Sequence, residues 1–195
     1  TGDVWWEAQR KCGPELVEVK ADFAAYLDVS RAVRRIYEDY TDKIEAFGID
    51  ECWLDVTGSR RLFGDGLTIA ETLRERIKRE LGVTVSIGVS FNKVFAKLGS
   101  DMKKPDAVTC IPRESFRQMI WGLPVSDLFG VGRATAEKLR GCGIVTIGQG
   151  ANAYPPMIKY RLGVNGLRLI AAAAGRDETP VLPGDAVIEA KSVSR

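Results

Sequence analysis

No segment beyond Pro112 of this 195-residue chain reads as a β-strand, whereas before it β-branched and aromatic runs alternate with helical stripes. That break dictates a fold in two parts: strands with helices first, helices alone afterwards. Trp5 to Cys12 reads as a helix closed by Gly13-Pro14, and Leu16 to Val19 as a short strand. Asp22 is placed to cap a helix running to about Tyr40, with Phe23, Tyr26, Leu27, Val33, Ile36, Tyr37 and Tyr40 as its apolar stripe. The stretch KIEAFGIDECWLDVTGS, residues 43–59, reads as two strands, the second starting near Asp50. Gly64-Asp65-Gly66 is a turn. Thr68 with Glu71 forms a capping-box signature, and Ile69, Leu73, Ile77 and Leu81 line one side of a helix stopped by Gly82. Val83 to Val89 is a strand, Asn92 to about Ser100 a helix, and Ala107 to Ile111 a strand. The order β-β-α-β-α-β fits an α+β fold, a mixed sheet with helices on one face.

Composition removes several chemistries. With 45% hydrophobic and 28% charged residues the chain reads as a globular domain. It has no histidine, which excludes His general bases, His–metal sites and Ser-His-Asp triads. Its four cysteines form no CxxC pair and read as buried free thiols of a cytoplasmic protein. No apolar run approaches the ~18 residues that span a bilayer, and no leader pattern is visible. Charge is uneven: a net of −4 over residues 1–90, +7 over 91–170 and −1 over 171–195. A basic block beside an acidic one leans toward a polyanion on one side and cations on the other, although a solvated face gives the same pattern.

Asp50, Glu51 and Asp55 are the acids that invite a cation. Four residues of strand span ~13 Å, so Glu51 and Asp55 cannot share an ion from a regular strand. Asp50 and Glu51 converge only where the backbone turns or bulges, as Gly48 permits. Asp55 then reads as a structural acid. A solvated turn remains the alternative for the adjacent pair.

The string GIDECWLDVT resembles the S-I-D-E-x-Y-L-D-[VI]-T motif of Y-family (translesion) DNA polymerases, of the DNA polymerase IV-like branch. SIGVSFNKVFAKLGSDMKKPDAVTCI, residues 86–111, is similar to that family's palm helix and Lys-Pro turn. LFGVGRATAEKLRGCGIVTIGQ, residues 128–149, is similar to its thumb helix-hairpin-helix. The resemblance implies a ferredoxin-like palm over 21–111, preceded by the end of the fingers at 1–20. A small all-helical thumb follows over 112–175, then a linker at 176–195. It also implies that the catalytic strand bearing a third carboxylate, and the little-finger domain, lie outside the chain, so that the chain alone does not extend primers.

By the same resemblance Asp50 and Glu51 match the palm acids that hold two Mg²⁺ ions, and Lys104 the lysine on the incoming dNTP's triphosphate. The family pattern has Asn/Asp-Gly where this chain has Asp106-Ala107, so the turn after Pro105 differs. Lys93 and Lys97 share one helix face, and Lys97 reads equally as a phosphate contact or part of a solvated stripe. Gly130, Gly132, Arg133 and Lys138 match the hairpin that holds a DNA backbone phosphate without reading bases. Trp5, Trp6 and Trp53 read as core, and Trp121 as a palm–thumb junction residue. The implied activity is Mg²⁺-dependent nucleotidyl transfer on primer–template DNA in damage tolerance and repair, with a sliding clamp engaged through segments elsewhere and no membrane partner. The competing readings are a non-catalytic DNA-binding module and a palm with nucleotide cyclase chemistry, which the thumb-like hairpin disfavours.

Overall fold

The computed structural model describes residues 2–184 and Ala186. Thr1 and the part of the expected linker at 185 and 187–195 lie outside the described residues. Helix α1 spans Trp5–Cys12 and α2 spans Phe23–Glu38, with the Asp22 carboxylate accepting from the Ala25 N–H at 3.0 Å. Strands β1, Ile44–Ala46, and β2, Cys52–Leu54, pair antiparallel with Glu45 opposite Trp53. A short helix α3, Arg60–Phe63, leads into α4, Gly66–Leu81. Strand β3, Ile87–Ser90, helix α5, Lys93–Met102, and strand β4, Val108–Ile111, form a crossover unit in which β3 and β4 run parallel. The remainder is helical: α6 Phe116–Ile120, α7 Arg133–Arg140, α8 Ile147–Ala151 and α9 Pro155–Ala173, the last interrupted at Gly163.

The α+β class follows, with one difference in layering. Ile87 of β3 packs with Ile36, Tyr40, Ile69, Leu73 and Ile77 of the α2–α4 side. Its neighbour Gly88 turns the opposite way, toward the α5 backbone. Adjacent strand residues face opposite sides of a sheet, so α2 and α4 cover one face and α5 the other. On the α5 side, Phe95, Leu98 and Ile111 share one core with Phe116, Ile120, Leu128, Ile147 and Ile158 of the helical half. Among the described residues the strands form two separate ribbons, β1–β2 and β3–β4.

Five local expectations change. Residues 16–19 form no strand, and Val17 and Val19 are exposed, because no neighbouring strand offers them hydrogen bonds. The cap of α4 is Asp65, which accepts from the Thr68 N–H at 2.8 Å, so the helix starts one turn before the Thr68–Glu71 signature. Of the α2 stripe only Ile36 and Tyr40 are buried, and Phe23, Tyr26 and Leu27 face solvent. Trp5 and Trp6 are likewise exposed rather than core, and Cys12 is an exposed thiol while Cys52, Cys110 and Cys142 are half-buried. Trp121 packs against Phe116 and donates to the Ala173 carbonyl at 3.3 Å, both partners lying in the helical half. No described helix is long and apolar enough to cross a membrane.

Candidate functional site

A groove of about 890 Å³ runs between the two ribbons, floored by α2 and α4 and walled by β2 and β3. Among the described residues β2 and β3 each pair with one strand, and their other edges border this groove. The tight turn between β1 and β2 forms its lip. Phe47 and Gly48 both donate their N–H to the Glu51 carbonyl, at 2.9 and 3.4 Å. That folds the chain back so that Asp50 and Glu51 both line the groove. Helix α2 braces the turn from behind: the Ser30 hydroxyl donates to the Ile49 carbonyl, and Arg34 donates to the Gly48 carbonyl at 2.9 Å.

Four of the residues singled out in the sequence meet here. Glu51 Oε1 lies 3.1 Å from Lys97 Nζ, Lys97 reaches Asp101 at 2.8 Å, and Asp101 reaches Lys104 at 2.7 Å. Asp50, exposed, stands beside the start of this chain of alternating charge. Burial pulls the Lys97 ammonium down, but hydrogen bonds to Asp101 and Glu51 outweigh it and hold its pKa above the usual lysine value. Burial pushes the Asp101 carboxyl up, and hydrogen bonds from Lys104 and Lys97 overcome that and leave it below the usual carboxylate range. Lys97 is therefore charged and held in place on this wall. Asp55 lies outside the chain: it takes the Thr57 N–H at 3.0 Å and the Lys43 ammonium at 3.2 Å, as befits a structural acid.

Asp106 adopts a left-handed φ of 52° and is gripped by Lys78 at 2.6 Å and Arg74 at 2.9 Å. These contacts anchor the segment that carries Lys104.

The remaining four residues form a second locus. Gly130 has φ 88°, which suits glycine, and Gly132 is the N-cap of α7. Both are exposed, so the first N–H groups of α7 face solvent. Arg133 is almost fully exposed and pairs with Glu137 at 3.2 Å, and Lys138 is exposed one turn further on. Phe129, next to this hairpin, packs on Phe47 and Trp53, next to the acid turn. The sequence reading missed Asp101, Ser30 and Arg34. Asp101 is four residues after Lys97 and three before Lys104, a spacing that places it between them. The two α2 residues carry no local signal, because their partners are backbone carbonyls nineteen and fourteen positions away.

Among the described residues no three His, Cys, Asp or Glu side chains cluster tightly enough to hold an ion. Asp50 and Glu51 still fit one kind of cation. Mg²⁺ keeps several waters and binds through one or two carboxylates plus substrate phosphates, and two hard donors at an open groove supply that.

The family model described as impB/mucB/samB family matches residues 1–101, and that described as IMS family HHH motif matches residues 113–144. Among curated relatives, DNA polymerase IV of Acetivibrio thermocellus is 55% identical over 193 residues, 99% of this chain and 48% of the relative. DNA polymerase IV 1 of Bacillus subtilis is 41% identical over 188 residues, 96% of this chain and 45% of the relative. The chain thus spans about half the length of the curated relatives it matches. Among solved structures, an insertion ternary complex of Dbh DNA polymerase superposes with TM-score 0.84 at 25% identity, covering 92% of this chain and 53% of that one. DinB from Sulfolobus solfataricus superposes with TM-score 0.79 at 25% identity, covering 88% and 51%.

Proposed function

The chain belongs to the impB/mucB/samB family, as a DNA polymerase IV-like member of the Y-family, and from that premise we propose that it is the palm and thumb portion of a translesion DNA polymerase. The observation that carries the reading is the single line of charge Glu51–Lys97–Asp101–Lys104 beside Asp50 on one groove wall. Carboxylates for cations and lysines for phosphates stand side by side, as nucleotidyl transfer requires.

In this reading Asp50 and Glu51 would hold two Mg²⁺ ions. When bound, these would activate a primer 3′-hydroxyl and neutralise charge at the transferred phosphoryl group. Lys104, exposed at the groove rim, takes the triphosphate of the dNTP as a point charge. Lys97, paired with Glu51 and Asp101, would stand beside the cations those acids hold, within reach of a phosphate. The free edges of β2 and β3 and the buried, unpartnered Arg34 Nε in the wall fit an extended segment laid between the ribbons. A strand there, bearing a further acid, brings a third carboxylate to the lip. Gly130, Gly132, Arg133 and Lys138 hold duplex backbone. The units are the end of the fingers at 1–20, palm at 21–111, thumb at 112–175 and linker at 176–195, in a cytoplasmic protein that engages a sliding clamp through other segments.

The test is primer extension by the intact polymerase spanning the relatives' full length. Asp50→Ala and Glu51→Ala each abolish incorporation and leave primer–template affinity within about threefold, since neither touches the hairpin. Normal extension by both variants sinks the site assignment. Tight DNA binding with no incorporation by the unaltered protein selects the non-catalytic module instead.

A further inference from the structure

Phe129 immediately precedes the hairpin at 130–132, and Phe47 immediately precedes the turn at 48–51. Their rings meet edge to face, centroids 5.2 Å apart at 78°. Both rings also contact the Trp53 indole, at 5.0 Å for Phe47 and 5.6 Å for Phe129. The three form a closed triangle joining the two loci.

One corner of the triangle is fixed. Trp53 Nε1 donates to the Lys93 carbonyl at 3.0 Å, and the Lys93 ammonium sits 4.7 Å from the indole centroid. That ammonium is 2.6 Å from both carboxylate oxygens of Glu45, which also accepts the Leu182 N–H at 2.9 Å. A second corner is rigidly attached to the hairpin, because Leu128 and Val131 on either side of it are buried. The third corner is the least buried. Phe47 is half exposed, and its turn is closed by two hydrogen bonds to the Glu51 carbonyl and braced from α2 by Ser30 and Arg34.

We propose that Phe129 is a positioning residue that couples the phosphate-contacting hairpin to the acid turn. A shift of the hairpin as it seats on a nucleic-acid backbone presses Phe129 against Phe47, since Trp53 does not give way. The push tightens the turn that presents Asp50 and Glu51. The trigger rests on the DNA-contact reading of the hairpin, while the ring contact stands without it.

Amide hydrogen exchange on the chain itself tests this, with Phe129→Ala and Phe129→Tyr compared to the unaltered protein and the Ile120 amide reporting global opening. Duplex DNA at low salt slows exchange of the Phe47 and Gly48 amides by about tenfold in the unaltered protein and in Phe129→Tyr. Phe129→Ala keeps DNA affinity within about threefold and keeps protection at the start of α7, but loses the protection at 47–48. If Phe129→Ala still transmits protection to 47–48, the coupling is wrong. If the unaltered chain binds no DNA, the hairpin reading fails instead, and the coupling is judged in free protein. There, faster exchange at 47–48 in Phe129→Ala than in Phe129→Tyr upholds it and equal rates overturn it. Phe47→Leu probes the same contact from the other side and supplies the comparison should Phe129→Ala not fold.

Discussion

Glu51 Oε1 and Lys97 Nζ are 3.1 Å apart at the groove wall, and both side chains are substantially shielded from water. In the proposed reading this lysine competes with a divalent ion for that carboxylate. Lys97→Met keeps the aliphatic stem and removes the competing charge. Affinity of the chain for Mn²⁺, read by the loss of its free-ion paramagnetic signal, rises about fivefold, equivalent to ~1 kcal/mol for a partly screened pair. An unchanged affinity removes Glu51 from the ligand set.

The two loci were legible in the sequence to different depths, and the difference has a physical origin. Asp22 and Asn92 are readable caps because a short polar side chain bonds an N–H three residues on, a wholly local event. Asp65 is local too, but Gly66 at the first helical position hides the helix start behind what looks like a turn. Residues 16–19 have strand chemistry and no strand, since pairing is a tertiary property. The acid turn was legible through adjacent acids and Gly48. Its bracing by Ser30 and Arg34 was not, because a carbonyl acceptor carries no residue identity. The split of the strands into two ribbons and the placing of α5 on the Gly88 face depend on packing across the sheet.

Gly88 lets β3 lie closer to the α5 backbone than any residue with a side chain would allow. A Cβ built there would lie 1.8 Å from the Ala96 carbonyl oxygen and 2.5 Å from the Ser100 nitrogen, both backbone atoms of α5. Neither can swing aside like a side chain, so Gly88→Ala must push α5 off β3. The expected cost is about 3 kcal/mol or more, at the upper end for overpacking. Urea unfolding of the two proteins measures it, and a midpoint shift within error would mean that β3 and α5 are not packed so closely.

Asp106 gives the acid limb of stability a named contributor. Hydrogen bonds from Lys78 and then Arg74 hold its carboxyl below the usual carboxylate range. A depressed folded-state pKa contributes stability that is complete above the unfolded value near ~3.9 and is lost as pH falls through the folded pKa. Asp106→Asn therefore lowers stability at pH 7 and flattens the decline seen on acidification from about pH 5 toward pH 2. Urea midpoints across that range decide it. Parallel acid limbs in the two proteins would leave the ion pairs at Asp106 without a role in pH dependence.

Lys138 and Arg133 separate a phosphate contact from a solvated charge. Arg133 is paired with Glu137, whereas Lys138 has no ion-pair partner among the described residues and lies on the same exposed helix that begins at Gly132. A lysine that neutralises a DNA phosphate releases a condensed counterion, and each such contact adds about 0.9 to the slope of log affinity against log salt. Lys138→Ala should then weaken duplex binding equally for unrelated sequences and reduce the slope by about one contact's worth. For Arg133 the same substitution also frees Glu137, an acid beside the anion, so its affinity loss is the larger of the two at low salt. Fluorescence anisotropy over a salt series gives both quantities. A slope that stays constant in Lys138→Ala would assign that lysine to the solvent and leave the amides of the hairpin, with Arg133, as the anion contact.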